Sequence, residues 1–165
     1  MVEFKQAEQF FLSGAQYQAV QDCLGALAQK LRIAATLLID GSGRILAKKI
    51  EEGRPLEGTH LGALAAGSYA AAGEMAPLLG ESRQFQMILH EGETLNVLMA
   101  AINRRHCLVT VFPKEEALGM VRIFTKRTVA QLKPILDKKE RSETVITDQF
   151  KSLLDHALDE SFKEF

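Results

Sequence analysis

The sequence predicts an α/β chain of the α+β kind: a single five-stranded antiparallel sheet flanked by helices, in the order α-β-β-α-β-β-β-α. Three observations carry that expectation. The stretch "TLLIDGSGRILAKK" (residues 36–49) reads as strand, tight polar turn and strand. Residues 83–112 alternate apolar and polar side chains through three short runs. Segments of helical period stand before, between and after these strands, at 15–31, 60–79 and 115–136.

The first helix places Val20, Leu24, Leu27 and Leu31 on one stripe. Asp40, Gly41 and Gly43 tolerate the backbone that closes a hairpin between "ATLLID" and "RILAKKIE". In the loop that follows, Thr59 is the expected N-cap of the second helix. Gly80 is its expected stop, and Pro77 should kink or loosen its last turn. "RQFQMILH", "TLNVLMAAI" and "HCLVTVF" then form a meander ended by Pro113. The third helix carries Leu118, Val121, Thr125, Val129, Leu132 and Leu136 on one stripe. Residues 1–13 form an N-terminal extension with Phe4, Phe10, Phe11 and Leu12, and 14–137 the domain. Residues 138–165 are a C-terminal tail, with an amphipathic pattern through Ile146, Phe150, Leu153, Leu154, Ala157, Leu158 and Phe162.

Composition narrows the class. The 165 residues suffice for one domain, and 47% hydrophobic with 25% charged residues is ordinary for a globular protein. A net charge of −1 argues against nucleic-acid binding, which needs a basic stripe. No apolar run is long enough to span a membrane, and the first residues lack a signal-peptide pattern, so a cytoplasmic protein is expected. Cys23 and Cys107 lack metal or disulfide spacing and read as buried free thiols.

The second helix carries most of the functional reading. At about 100° per residue, Leu61, Leu64, Ala65, Ser68, Ala72, Met75 and Leu79 form the expected core face. The opposite face is Ala63, Ala66, Gly67, Ala70, Gly73 and Pro77, with Glu74 its single charge. No Lys or Arg occurs from 60 to 79. A helix apolar all round is buried all round. Gly62, Gly67 and Gly73 each cost the helix roughly 1 kcal/mol against alanine, a cost that close approach of another backbone explains. That backbone belongs either to a terminal segment of this chain or to a protein partner. Ala63, Ala66, Gly67, Ala70 and Glu74 are the partner-surface candidates.

The sheet edges differ. If the last meander strand docks beside the first hairpin strand, "RILAKKIE" and "RQFQMILH" are the edges. Lys48 and Lys49 guard the first; the centre of the second, "QFQMIL", is uncharged. A covering segment or the same strand of a second copy would satisfy it, with Gln84, Gln86 and Ile88 as the self-pairing candidates.

Catalytic constellations are missing from the sequence: it has no HExxH, GxSxG, P-loop or dinucleotide fingerprint. His60, His90, His106 and His156 lack metal-ligand spacing and read as surface or strand-end residues. No cofactor and no metal are expected. Arg83, Arg104, Arg105, Arg122 and Arg127 could each stabilise phosphoryl transfer on a partner, but nothing selects one. Asn96 and Thr110 are the only polar candidates inside the sheet for a small-molecule sensor.

The succession "LAQKLRIAATLLIDGSGRILAKK", "LGALAAGSYAAAGEMAPLLGE" and "LNVLMAAINRRHCLVTVFPKEEALGMVRIFTKRTVAQLKPIL" resembles the roadblock / dynein light chain family, nearest to its bacterial MglB-like members. The likeness covers residues 17–136 and rests on element order and spacing, including a hairpin with D-x-x-G and an L-x-x-V-x-x-x-E-x-x-L-G-x-V-R run from Leu108 to Arg122. It implies a roadblock-like fold with profilin-like layering. It also implies a homodimer made by joining sheets and packing second helices, with a small Ras-like GTPase bound on the two-helix surface. Such members stimulate GTP hydrolysis without an arginine finger, or act as scaffolds. The chain itself would then be no enzyme.

Overall fold

The computed structural model describes residues 10–138. The tail pattern at 145–165 and Phe4 lie outside them. Eight elements follow in order: α1 (Gly14–Lys30), β1 (Ala35–Asp40), β2 (Ile45–Ile50), α2 (Gly58–Leu78), β3 (Met87–Glu91), β4 (Leu95–Ala101), β5 (His106–Pro113) and α3 (Leu118–Asp137). All five strands join one antiparallel sheet in the order β2-β1-β5-β4-β3. The hairpin and meander thus meet through β1 and β5, and β2 and β3 are the edges, as the sequence predicts.

Alternation along the strands makes three layers. Leu38, Leu98, Leu108 and Phe112 face α1 and α3, where Val20, Leu24, Leu27, Val121, Leu132 and Leu136 complete the larger core. Leu37, Ile39, Met99, Cys107 and Val109 face α2 and meet Ala65 and Ala66. At the start of α1, Ser13 closes a capping box with Gln16: each side chain accepts the other's backbone N–H.

The β1–β2 turn is held by Asp40. Its Oδ1 accepts from the N–H groups of Ser42 (3.0 Å) and Arg44 (3.1 Å), and Oδ2 accepts from Arg44 Nε at 3.0 Å. Burial pushes the Asp40 carboxyl up, but these hydrogen bonds outweigh it and hold the group below its usual range. The turn rests on α2. Gly43 has φ +87°, and a Cβ there would stand 2.6 Å from Ala63 Cα. Gly62 answers it: a Cβ at that position would lie 2.6 Å from the Gly43 carbonyl oxygen. Two glycines therefore let hairpin and helix backbones touch.

Several boundaries differ from expectation for local reasons. Helix α2 starts at Gly58 with Glu57 as N-cap, so Thr59 is not the cap. Gly58 is buried against Ile45, which draws the first turn onto β2. Its end is as expected: Gly80 has φ +79°, Gly80 N–H donates to Pro77 O and Glu81 N–H to Ala76 O. The loosened last turn around Pro77 takes this form. Helix α3 begins three residues late because Glu116 is used in the preceding turn, accepting from Arg32 N–H at 3.3 Å.

The third strand begins at Met87 rather than in the "RQFQ" stretch. Gln86 contributes its carbonyl to Ala101 N–H at 2.9 Å but lies before the strand. Gln84 turns toward α2, where its amide packs over Gly73 and its Oε1 accepts from the Tyr69 hydroxyl at 3.4 Å. Of the three edge candidates, only Ile88 lies within β3.

His106 opens β5 but is not a surface residue, being 3% exposed. Asn103 Oδ1 accepts from Arg105 N–H, from His106 N–H and from the ring Nδ1–H (2.9, 2.9 and 3.0 Å). Nε2 is left buried with no partner among the described residues, beside the Phe10 ring. Burial first, then the Arg105 and Arg44 charges, lower the ring's pKa against the opposing pull of Asp40 and Asp137. The unfolded chain therefore binds a proton more readily than the folded one. Stability present above the ordinary histidine value of about 6.5 should fall as pH drops below it. A His106→Gln variant should flatten the melting temperature between pH 7 and 5 relative to the parent; identical slopes would refute this.

Candidate partner-binding surface

Helix α2 lies over β1, β2 and β5. On the same sheet face, Ile88, Leu95 and Val97 are only half-buried. The helix is apolar around its circumference, but its inner side is not the one expected. Gly62, Ala65, Ala66, Ala72 and Ala76 are buried, the first three of them against the sheet. Leu64 is 73% exposed, Met75 51% and Leu79 72%, so three residues expected in the core point outward. The helix is turned roughly a quarter turn from the expected orientation.

The reason is size. Glycine and alanine toward the sheet let the helix axis come close, as the Gly43–Gly62 contact requires. Leucine or methionine in those positions would hold it away. The larger side chains are thereby left on the far side.

The partner-surface candidates divide accordingly. Ala63, Gly67, Ala70 and Glu74 are exposed along one stripe of α2. Ala66 is 8% exposed and packs with the inner core, so it does not belong to that stripe. Sequence reasoning missed Leu64, Met75 and Leu78, the last 84% exposed. Together with Gly67 and Ala71 they form a continuous outer face whose one formal charge is Glu74. Such a patch of large apolar side chains is a candidate interaction surface. By contrast, the outer side of α3 carries Arg122, Lys126, Arg127 and Lys133 around Met120 and Ile123, the pattern of a solvated face.

The three interior glycines of α2, Gly62, Gly67 and Gly73, now separate. Gly62 is explained by the hairpin and Gly73 by the Gln84 side chain. A Cβ at Gly67 would meet no atom within 4 Å among the described residues. Its cost to the helix is not repaid by any described contact within this chain.

Other candidates form no site. Asn96 is buried with its Oδ1 accepting from Gly92 N–H at 3.1 Å, and Thr110 is fully buried in the core. Cys107 is a buried free thiol whose pKa burial raises to about 12; Cys23 is free and half-buried rather than buried. Among the described residues, no His, Cys, Asp and Glu cluster could hold a metal, and no helix is long and apolar enough to cross a membrane.

Sheet order and layering are those of a roadblock-type domain. A match to the Roadblock/LC7 domain family spans residues 19–112, and the chain belongs to that family. Among solved structures, it is similar to "MglB with tetrameric arrangement", at 31% identity and TM-score 0.74, covering 78% of this chain and 96% of that one. The gliding protein MglB from Thermus thermophilus gives 32% identity and TM-score 0.73 over the same shares. Myxococcus xanthus MglB gives 27% and 0.68, covering 72% of this chain and 95% of that one. No curated protein sequence matches.

Proposed function

We propose that this protein is a cytoplasmic homodimeric regulator of a small Ras-like GTPase, binding it on a surface built from the paired α2 helices. The observation that carries the reading is the outer face of α2, where exposed Leu64, Met75 and Leu78 share a face with Gly67 and no described atom lies within 4 Å of a Cβ built at Gly67. A second copy's helix can come close there, and the β3 edge beside it carries no lysine or proline. Similarity to MglB proteins, one of them titled for a tetrameric arrangement, supports self-association.

The regulator acts by differential binding. Its apolar platform prefers one arrangement of the GTPase switch segments and shifts their population toward it. Among the described residues no nucleophile–base pair and no one distinguished arginine stands out, and in this reading any stimulation of hydrolysis comes from residues of the GTPase that this platform positions. Ala63, Gly67, Ala70 and Glu74, with Leu64 and Met75, share contacts between the second copy and the GTPase.

The test mixes the purified protein with the small Ras-like GTPases of the same cell and follows phosphate release. Faster release, lost in Leu64→Glu, is the expected result. Complex formation without acceleration would leave a scaffold and remove the activating role. Failure to bind would remove the GTPase reading altogether.

A further inference from the structure

Both ends of the described chain lie beside one groove that is separate from α2. It lies on the α1 side of the sheet, between the first turn of α1 and edge strand β2, with a volume of about 480 Å³. Phe10, Phe11, Leu12, Tyr17, Ile45 and Leu46 line it. Phe11 is 70% and Tyr17 46% exposed. The walls are fixed in place: Arg44 donates to the Phe10 carbonyl and the Asp40 carboxylate, and its guanidinium stands 5.1 Å over the Phe11 ring.

The last described residue leaves the domain next to this groove. Gln16 Nε2 donates to Ile135 O at 3.0 Å and Lys138 O at 3.4 Å, and Tyr17, its neighbour on α1, is in the groove wall. Residues 139–144 can extend at most about 20 Å from that point. Beyond them, Ile146, Phe150, Leu153, Leu154 and Ala157 fall at helical spacing, and Asp148, Asp155 and Asp159 fall off that stripe. Residues 1–9 fit less well, with Val2 and Phe4 but no such stripe.

We propose that residues 145–165 fold back onto their own domain and lay their apolar stripe into this groove, against Phe11 and Tyr17. Chain exit, reach and side-chain pattern agree on this occupant. The contact covers the aromatic side chains that the domain leaves exposed and shields the β2 edge. It makes the tail an internal ligand, which any partner of either the tail or the groove must displace. This inference stands independently of the GTPase reading.

The chain contains no tryptophan, so Phe150→Trp gives the full-length protein a single indole emitter. Blue-shifted emission is expected, unchanged on dilution. Adding Phe11→Ser and Tyr17→Ser should shift it to the red of a hydrated indole without changing far-ultraviolet circular dichroism. If that pair lowers the melting temperature, Phe11→Ser alone provides the same comparison at a mostly exposed position. Hydrated emission at the outset would overturn the proposal, as would blue emission that survives the groove substitutions. Blue emission lost on dilution would also overturn it, since a second copy would then be the occupant.

Discussion

Gly67→Arg is expected to abolish self-association while leaving the fold intact. The position lies on the outer side of α2 with no described atom within 4 Å of a built Cβ, so the root of an arginine side chain meets no described atom of its own chain. Arginine also forms helix better than glycine, so the isolated domain should melt no lower than the parent. At an interface, the same side chain blocks the approach of a second backbone and brings a charge into an apolar contact. A loss of at least about 100-fold in association, or ~2.8 kcal/mol, is the expected size. Sedimentation reads association, and circular dichroism reads the fold. An unfolded variant would show instead that this face is packed within its own chain. Gly67→Ala should be milder: a gain of up to about 1 kcal/mol for the separated domain, with some weakening of the pair.

Gly43→Ala should have the opposite signature, harming the fold first. Two terms add. The backbone at φ +87° is unfavourable for any residue with a Cβ. The new Cβ would also stand 2.6 Å from Ala63 Cα and 2.8 Å from the Gly62 carbonyl oxygen, both backbone atoms that cannot turn aside. A loss of about 3 kcal/mol is expected, equivalent to roughly 10 °C in melting temperature. Gly73→Ala provides the control. Its Cβ would meet only the Gln84 side chain, which can move, so near-parental stability is expected. Equal effects at Gly43 and Gly73 would show that the hairpin does not rest on α2 as described.

These glycines also show what the sequence could reveal and where it fell short. The hairpin was legible because Asp40, Gly41 and Gly43 are turn residues with a chemical reason to be there. Edge strands β2 and β3 followed from pairing consecutive strands and closing the sheet through β1 and β5. The phase of α2 did not follow. With no lysine or arginine from 60 to 79, nothing marked the wet side, and the larger side chains were read as core. In the fold, close approach decides: Gly62, Ala65, Ala66 and Ala76 are inside because they are small. A usable signal was present, since Gly58, Gly62, Ala65, Ala66, Ala72 and Ala76 make a small-residue stripe interrupted only by Tyr69. The burial of His106 was hidden for another reason. Phe10 reaches it from outside the domain's regular elements, a contact no periodicity reports.

Competitive oxidation of two methionines tests most directly whether protein covers the outer face of α2. Met75 on α2 and Met120 on α3 are similarly exposed in the single chain, at 51% and 45%. A brief peroxide pulse at micromolar protein, read by peptide mass, compares their conversion to the sulfoxide. Covered α2 faces predict Met75 reacting several-fold more slowly than Met120, with the difference vanishing in Gly67→Arg. Equal rates in the unaltered protein would mean that Leu64, Met75 and Leu78 face water, and would contradict the account.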